Sequence, residues 1–315
     1  MAIAVSTDSA KRALLDHLID DASLFPPASL AMRPALRAHA RHKESAYWWM
    51  GGRFVLPASR LDEFAAARTG RDPIELSVVL DAGMQGARGD TVRADLERVE
   101  LIRQLEGITV ASFEARLPRL TLDDTTIARI VADITERYPS GEVAFWYESS
   151  YDGGWAVEPD RWLATLAAAR ANAPANLTIG AKVRCGGAAP GATPSIDDLA
   201  IFMTAAHAHD VPWKATAGLH HPVRAVHGNL ATHGFLNVFI AGIALHAGAI
   251  AAERVGEIIA ELESGAFVVD PAHVAWRDVR LGAEQVAAAR ERAVALGSCS
   301  FDEPVNDLRE LGMLL

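Results

Sequence analysis

The residues most able to do chemistry in this chain stand two apart at the ends of apolar runs. In LTIGAKVRC, Leu177, Ile179, Ala181 and Val183 form one set, and Thr178, Gly180, Lys182 and Arg184 form the other. Side chains alternate across a β-strand, so residues two apart share a face. The apolar set then packs outward, and Lys182 and Arg184 project inward together. Burying unpaired charge is expensive, so anionic groups must meet them. Other segments supply these groups. ITVASFEAR sets Ile108, Val110, Ser112, Glu114 and Arg116 on one face. EVAFWYESS sets Ala144, Trp146 and Glu148 together, SVVLD sets Ser77, Val79 and Asp81, and PWKATAGLHH sets Lys214, Thr216, Gly218 and His220. Each segment runs from apolar to charged toward its C-terminal end. Glu114 with Arg116, and Glu148 with Lys182, also read as structural pairs closing a polar core. In LIDDASLFPP the alternation does not decide whether Asp20 or Asp21 faces inward.

Lysine becomes a nucleophile when desolvation or a neighbouring cation removes its proton near neutral pH. Lys214 follows Trp213 and is expected one strand from Lys182 and Arg184, so both levers are in reach. A neutral amine there could attack a carbonyl and form a Schiff base. The competing reading makes Lys214 a fixed cation for a carboxylate or phosphate. Gly186 and Gly187, after Cys185, and Gly218 suit loops whose backbone N–H groups receive an anion, or they only permit tight turns. With Arg184, Glu114, Asp81 and Thr216 they form the expected substrate-binding set.

Eight of the eleven histidines fall between residues 207 and 273, which raises the question of a metal. His220, His221 and Glu148 are the candidate ligands for one divalent ion. No HExxH is present, and general acid–base work suits His220 and His221 better than metal ligation, because histidine ordinarily titrates near working pH; His220 or Glu148 is the expected catalytic proton mover. His221, adjacent to His220, is assigned to substrate binding. His207 and His209 close a helix before a strand, and His39 and His42 lie on a surface helix; all four read as structural. Asn237 interrupts an apolar run and reads as a partner for buried backbone groups. Cys299 reads as an inert thiol, and Ser298 and Ser300 as ligand hydroxyls if their segment closes the fold.

KATAG (214–218) resembles the K-T-S-T-G stretch that carries the Schiff-base lysine in class I aldolases of the deoxyribose-phosphate aldolase type. The resemblance covers five residues and departs from the pattern at Ala215; His220 and His221 are not part of it. It implies a (β/α)8 barrel, Lys214 as nucleophile, and Lys182 or Arg184 as the partner that lowers its pKa.

The elements that must position these residues recur as strand, polar loop, helix. ELSVVLD (75–81), ITVASFEARL (108–117), EVAFWYESS (142–150), LTIGAKVRCGG (177–187) and VPWKATAGLHH (211–221) each precede a helical segment, the last one near 229–263. HLIDDASLFPP (17–27) and RFVLPASRLDEFAAAR (53–68) fit the same rhythm. Asp90, Asp160, Ser195 and Ser59 stand where helix N-caps belong. AFVVDPAHVAW (266–276), read as a hairpin, competes with ALGSCSF (295–301) for the last strand. Alternation of this kind implies a parallel sheet, and eight units imply one (β/α)8 barrel over residues 1–315, with 295–315 closing it. The competing architecture is an open doubly wound sheet, but no GxGxxG follows an early strand.

The formal charge is −10 and the 30 basic residues are scattered, so neither a nucleic acid nor an anionic membrane is an expected partner. Two cysteines suit a reducing cytoplasm. The N-terminus has no apolar stretch long enough for a signal peptide, and FLNVFIAGIALHAGAIAA (235–252) reads as a buried helix. AYWWMGG (46–52) reads as an interface between copies or a flap over one barrel end. The leading expectation is an aldolase-like lyase acting on an anionic carbonyl compound without a cofactor. The alternatives are a metal-dependent hydrolase or isomerase, and a non-catalytic ligand-binding barrel.

Overall fold

The computed structural model describes residues 9–81, 89–117, 125–149, 159–187, 192–228 and 230–315. Seven parallel strands come first: β1 (Ile19–Asp21), β2 (Gly51–Pro57), β3 (Ile74–Val79), β4 (Ile108–Leu117), β5 (Val143–Ser149), β6 (Leu177–Arg184) and β7 (Trp213–Thr216). Two small antiparallel additions follow. One pairs β8 (Ala225–His227) with β9 (Leu230–Thr232), and the other joins β10 (Phe267–Val269), β11 (Val274–Trp276) and β12 (Val279–Leu281). The eighth barrel strand, β13 (Ala293–Ser298), pairs in parallel with both β7 and β1 and closes the barrel. The architecture is a (β/α)8 barrel. The segment 266–276 does form a hairpin, outside the barrel, and the later segment supplies the last strand.

Helix α1 (Ala10–Leu15) precedes β1, and α2 (Met32–Lys43) follows it. The other outer helices are α3 (Leu61–Ala67), α4 (Gly89–Arg103), α5 (Thr126–Arg137), α6 (Pro159–Ala171), α7 (Ile196–Ala208) and α8 (Phe235–His246). Then come α9 (Val255–Ala260), α10 (Ala283–Arg290) and, after β13, α11 (Asp302–Glu310). Their apolar stripes explain the packing: Ile127, Ile130 and Ile134 of α5 are buried at helical spacing. Ser195 caps α7, with a reciprocal hydrogen bond to Asp198. The outward strand residues Leu177, Ile179, Ala181 and Val183 belong to the same continuous core as these helices. Among the described residues, no helix is long and apolar enough to cross a membrane. Residues 235–245 of α8 are instead all buried in the protein.

Several local expectations are corrected. The region 229–263 is not one long helical stretch; it divides into β9, α8 and α9. Ser59 does not cap α3: Arg60 is the capping position, and the Ser59 hydroxyl and N–H bind the Asp81 carboxylate. Asp160 lies inside the first turn of α6, paired with His209 at 2.8 Å. The Asp90 side chain lies outside the described residues. β7 stops at Thr216, because Ala217 and Gly218 take positive φ values of 58° and 75° and turn the chain. His39 is not a surface residue. It is buried, and its Nδ1 lies 2.9 Å from Asp21 Oδ2. His42, on the same helix, is half-buried and stacks near Phe301. The aromatic segment at 46–52 packs within the chain, with Trp48 against His39 and Phe301 and Trp49 beneath Arg12.

One close approach shapes the barrel interior. Trp146 points inward from β5 and rests on Gly180 of β6. A Cβ at Gly180 would stand 2.3 Å from Trp146 Cζ3 and 2.6 Å from the Pro212 carbonyl oxygen. Only glycine leaves room for the indole there. Gly180→Ala is therefore expected to destabilise the fold by about 1–3 kcal/mol, the usual cost of overpacking, in urea unfolding. An unchanged midpoint would show that the ring has space to move.

Candidate active site

The site is built from alternating charges that cross the barrel interior. Asp20 is the inward residue of β1, and Asp21 faces α2. Lys214 Nζ lies 2.6 Å from Asp20 Oδ2 and 2.7 Å from Glu114 Oε1. Lys182 Nζ lies 2.8 Å from Glu114 Oε2 and 3.0 Å from Glu148 Oε2. Arg184 donates through Nε and Nη2 to Glu148 Oε1, at 3.1 and 3.0 Å. Arg116 stands further out, with Nε 4.0 Å from that same oxygen. The order is thus Asp20, Lys214, Glu114, Lys182, Glu148, Arg184, alternating in sign throughout. Strand register places Lys182 beside Lys214 and Glu148 beside Lys182, and Glu114 reaches them across the interior.

Hydrogen bonds fix the remaining oxygens. Ser77 donates to Glu114 Oε1 at 2.6 Å and lies 2.6 Å from the Ser112 hydroxyl. Asp20 Oδ1 accepts the Arg53 backbone N–H at 2.8 Å.

The electrostatics follow from burial set against partner charge. Burial pushes the Glu114 carboxyl up, but the ammonium groups of Lys182 and Lys214 outweigh it and hold the group well below the usual range. Glu148 is likewise lowered, as Lys182 and Arg184 overcome its burial. Burial alone would lower Lys182, but Glu114 and Glu148 raise it. The arrangement differs from the expected one. The Lys182 cation does not press directly on Lys214, because the shared Glu114 carboxylate stands between them.

Above this chain opens a cavity of about 990 Å³ at the C-terminal ends of the strands. Lys214, Lys182, Glu114, Glu148, Arg184, Thr216, Gly186, Gly187, Gly218, His220 and His221 all line it. Asp81 does not line it and is bound to Ser59 instead. The two lysines differ in access: the Lys214 side chain is 1% exposed and that of Lys182 10%. Gly186 and Gly218 meet back to back, and a Cβ on Gly218 would lie 2.7 Å from Gly186 Cα. His220 Nδ1 lies 3.2 Å from Glu303 on α11, and His221 Nδ1 lies 2.7 Å from Asp307. Because the chain turns after Thr216, both histidines line the cavity from a loop, not from the strand.

The candidate metal ligands therefore have other partners. Glu148 is held by Lys182 and Arg184, and the two histidines by carboxylates of α11. Among the described residues, no group of three His, Cys, Asp or Glu side chains is placed to hold a metal ion. Cys299 lines the cavity, 3.8 Å from His220 Nδ1, and burial raises its pKa. Cys185 is buried and pushed up to about 12. Ser298 donates to the Ser300 carbonyl at 2.7 Å. Asn237 is fully buried; it accepts from the Arg224 N–H and donates to the Ile258 and Glu261 carbonyls.

Two features escaped the sequence reading. Asp20 anchors the charge chain, and Ala22, Phe25, Val55 and Val79 form an apolar wall of the cavity. The alternation from Asp20 to Ala22 and from Val55 to Pro57 carries this signal, but three-residue β1 is too short for its phase to be read. No family model, no curated protein and no solved structure matches the chain. Its chemistry is read from its own geometry.

Glu114→Gln would leave two buried ammonium groups sharing a neutral amide. The expected loss of stability is about 3–5 kcal/mol at neutral pH. Because the folded pKa of Glu114 lies below its unfolded value, its contribution is full above that unfolded value. It is lost as pH falls through the folded value. Urea titrations from about pH 6 to about pH 2 are expected to show a shallower acid decline in the variant than in the wild type. Parallel declines would remove Glu114 from the acid response.

Proposed function

We propose that this chain is a small-molecule enzyme of the aldolase-like lyase class, acting at the C-terminal mouth of the barrel through a lysine imine. The observation that carries this reading is the pair of lysines sharing Glu114 at the cavity floor. The geometry favours Lys182 as the nucleophile and Lys214 as the positioning residue. Both lysines line the cavity and each lies between two carboxylates, but the Lys182 side chain is the more exposed of the two. The (β/α)8 fold is compatible with an enzyme, and the charged cluster lies at the strand ends, where barrel enzymes carry their active sites.

The resting Lys182 is an ammonium and must lose a proton to react. Glu114 and Glu148 hold it in that form, because their charges outweigh its burial. Substrate entering beside Lys182 competes for these contacts, and the proton passes along the 2.8 Å contact from Nζ to Glu114 Oε2 as the amine meets the carbonyl. The freed lone pair attacks the carbonyl carbon, and the carbonyl oxygen takes up that proton. Loss of this oxygen as water gives the protonated imine. The imine receives the electron pair of the breaking C–C bond while a base takes the proton of the β-hydroxyl. Glu148, and His220 at the mouth, are the groups available for this transfer. Arg184 and Arg116 bind the substrate anion, and Lys214 keeps Glu114 oriented.

Borohydride reduction in the presence of pyruvate, glyoxylate or glycolaldehyde tests the reading by intact mass and peptide mapping. A reduced adduct on Lys182 is expected. It is absent in Lys182→Met and formed more slowly in Lys214→Met. Arg184→Gln is expected to raise the concentration of pyruvate needed for half-maximal trapping about tenfold, the loss of one charged hydrogen-bond partner. An adduct on Lys214 would restore that residue as nucleophile. A wild type with no adduct on either lysine would end the imine reading.

A further inference from the structure

The cavity has two chemically opposed sides. Arg116, Glu148, Lys182 and Arg184 line it from β4, β5 and β6. Across the barrel, β2, β3 and the loop after β1 present Val55, Val79, Ala22 and Phe25. Ala22, Val55 and Val79 are buried and pack with Phe25 as a small cluster separate from the main hydrophobic core. They do not serve the packing of the outer helices. Their open side faces the cavity, so whatever fills the cavity completes their burial. Pro26 and Pro27 extend this wall to the mouth and add no side-chain donor.

The charged side carries a dimension as well. Lys182 and Arg184 hold the two oxygens of one carboxylate, Oε2 and Oε1 of Glu148. The amine and the guanidinium thus flank one small planar anion. A carbonyl carbon bonded directly to a carboxylate is a head of similar size and shape. Its carbonyl reaches Lys182 while its carboxylate meets Arg184, with Arg116 beside it. Among the other polar lining residues, Ser298 is engaged with the Ser300 carbonyl, His220 with Glu303 and His221 with Asp307.

We infer that the substrate is a 2-oxo acid with an apolar tail, its acid head on Arg184 and Arg116 and its tail against Phe25, Val55 and Val79. This inference rests on the imine reading for the placement of the carbonyl, but not for the placement of the tail. A polyhydroxylated tail would set its hydroxyls against alkyl and phenyl groups, where each forgoes its water without gaining a partner. The apolar wall therefore selects against sugar-like substrates, while a tail of alkyl or aryl carbons gains affinity with each group buried.

Calorimetric binding to the whole protein separates the possibilities, using pyruvate, 2-oxohexanoate, 2-oxooctanoate, phenylpyruvate, hydroxypyruvate and glyceraldehyde 3-phosphate as probes. Phenylpyruvate and 2-oxooctanoate are expected to bind at least about tenfold more tightly than pyruvate or hydroxypyruvate. Phe25→Ala and Val55→Thr are each expected to shrink the phenylpyruvate-to-pyruvate ratio several-fold. Phe25 is half-buried and also touches the main core, so a urea midpoint for Phe25→Ala separates lost stability from lost affinity. Affinity that is flat along the series, highest for glyceraldehyde 3-phosphate, or equally graded in both variants would overturn the inference. Borohydride trapping with the same probes reports separately on the imine. Graded binding without an adduct leaves the apolar-acid site standing and removes the imine, and an adduct without graded binding does the reverse.

Discussion

Glu114 is the constraint on which the interior depends. One carboxylate holds two ammonium groups, and each of those is held by a second carboxylate further along. Six side chains from β1, β4, β5, β6 and β7 thereby become one unit. Such a unit is a poor way to stabilise a fold. Desolvating each ion costs several kcal/mol, and a packed apolar interior would often do as well or better. The unit lies beside the cavity at the mouth end of the barrel, with amines and carboxylates within hydrogen-bond distance of one another.

Much of this was legible as pattern. The strand boundaries of β4 follow from ITVASFEARL, and the division of LTIGAKVRC into an outward apolar set and an inward charged set holds in the structure. The inward turn of Lys182, Arg184, Glu114, Glu148 and Lys214 follows from period-two alternation alone. Which charge meets which does not follow from it. Glu114 and Arg116 stand two apart and suggest a pair, but Glu114 reaches across the barrel and Arg116 leans toward Glu148. That choice is made by barrel diameter and strand stagger, which no single strand encodes.

The misreadings have local causes. Asp20 and Asp21 could not be told apart in a three-residue strand. His39 reads as surface because α2 carries Arg37, Arg41 and Lys43 around it, yet the helix turns His39 toward Asp21. Burial raises the Asp21 carboxyl, but the hydrogen bond and charge of His39 outweigh it, leaving it lowered. The pattern puts His220 and His221 on a strand, but that strand ends five residues sooner, because Ala217 and Gly218 turn it aside. Ser59 has the composition of a cap but is drawn to Asp81 by the closeness of β2 and β3. In each case a tertiary partner, remote in sequence, overrides a local preference.

The charge chain also bears on how the protein reaches its native state. Lys214 joins Asp20 across 194 positions of sequence and Glu114 across 100. Contacts this remote form only after long loops have closed, and such topologies fold slowly. Until β7 and β13 have docked, these ions lack their partners and are better off in water. Sealing the interior before then would strand a charge. An interior shut with the wrong strand register would leave the alternation of charge incomplete.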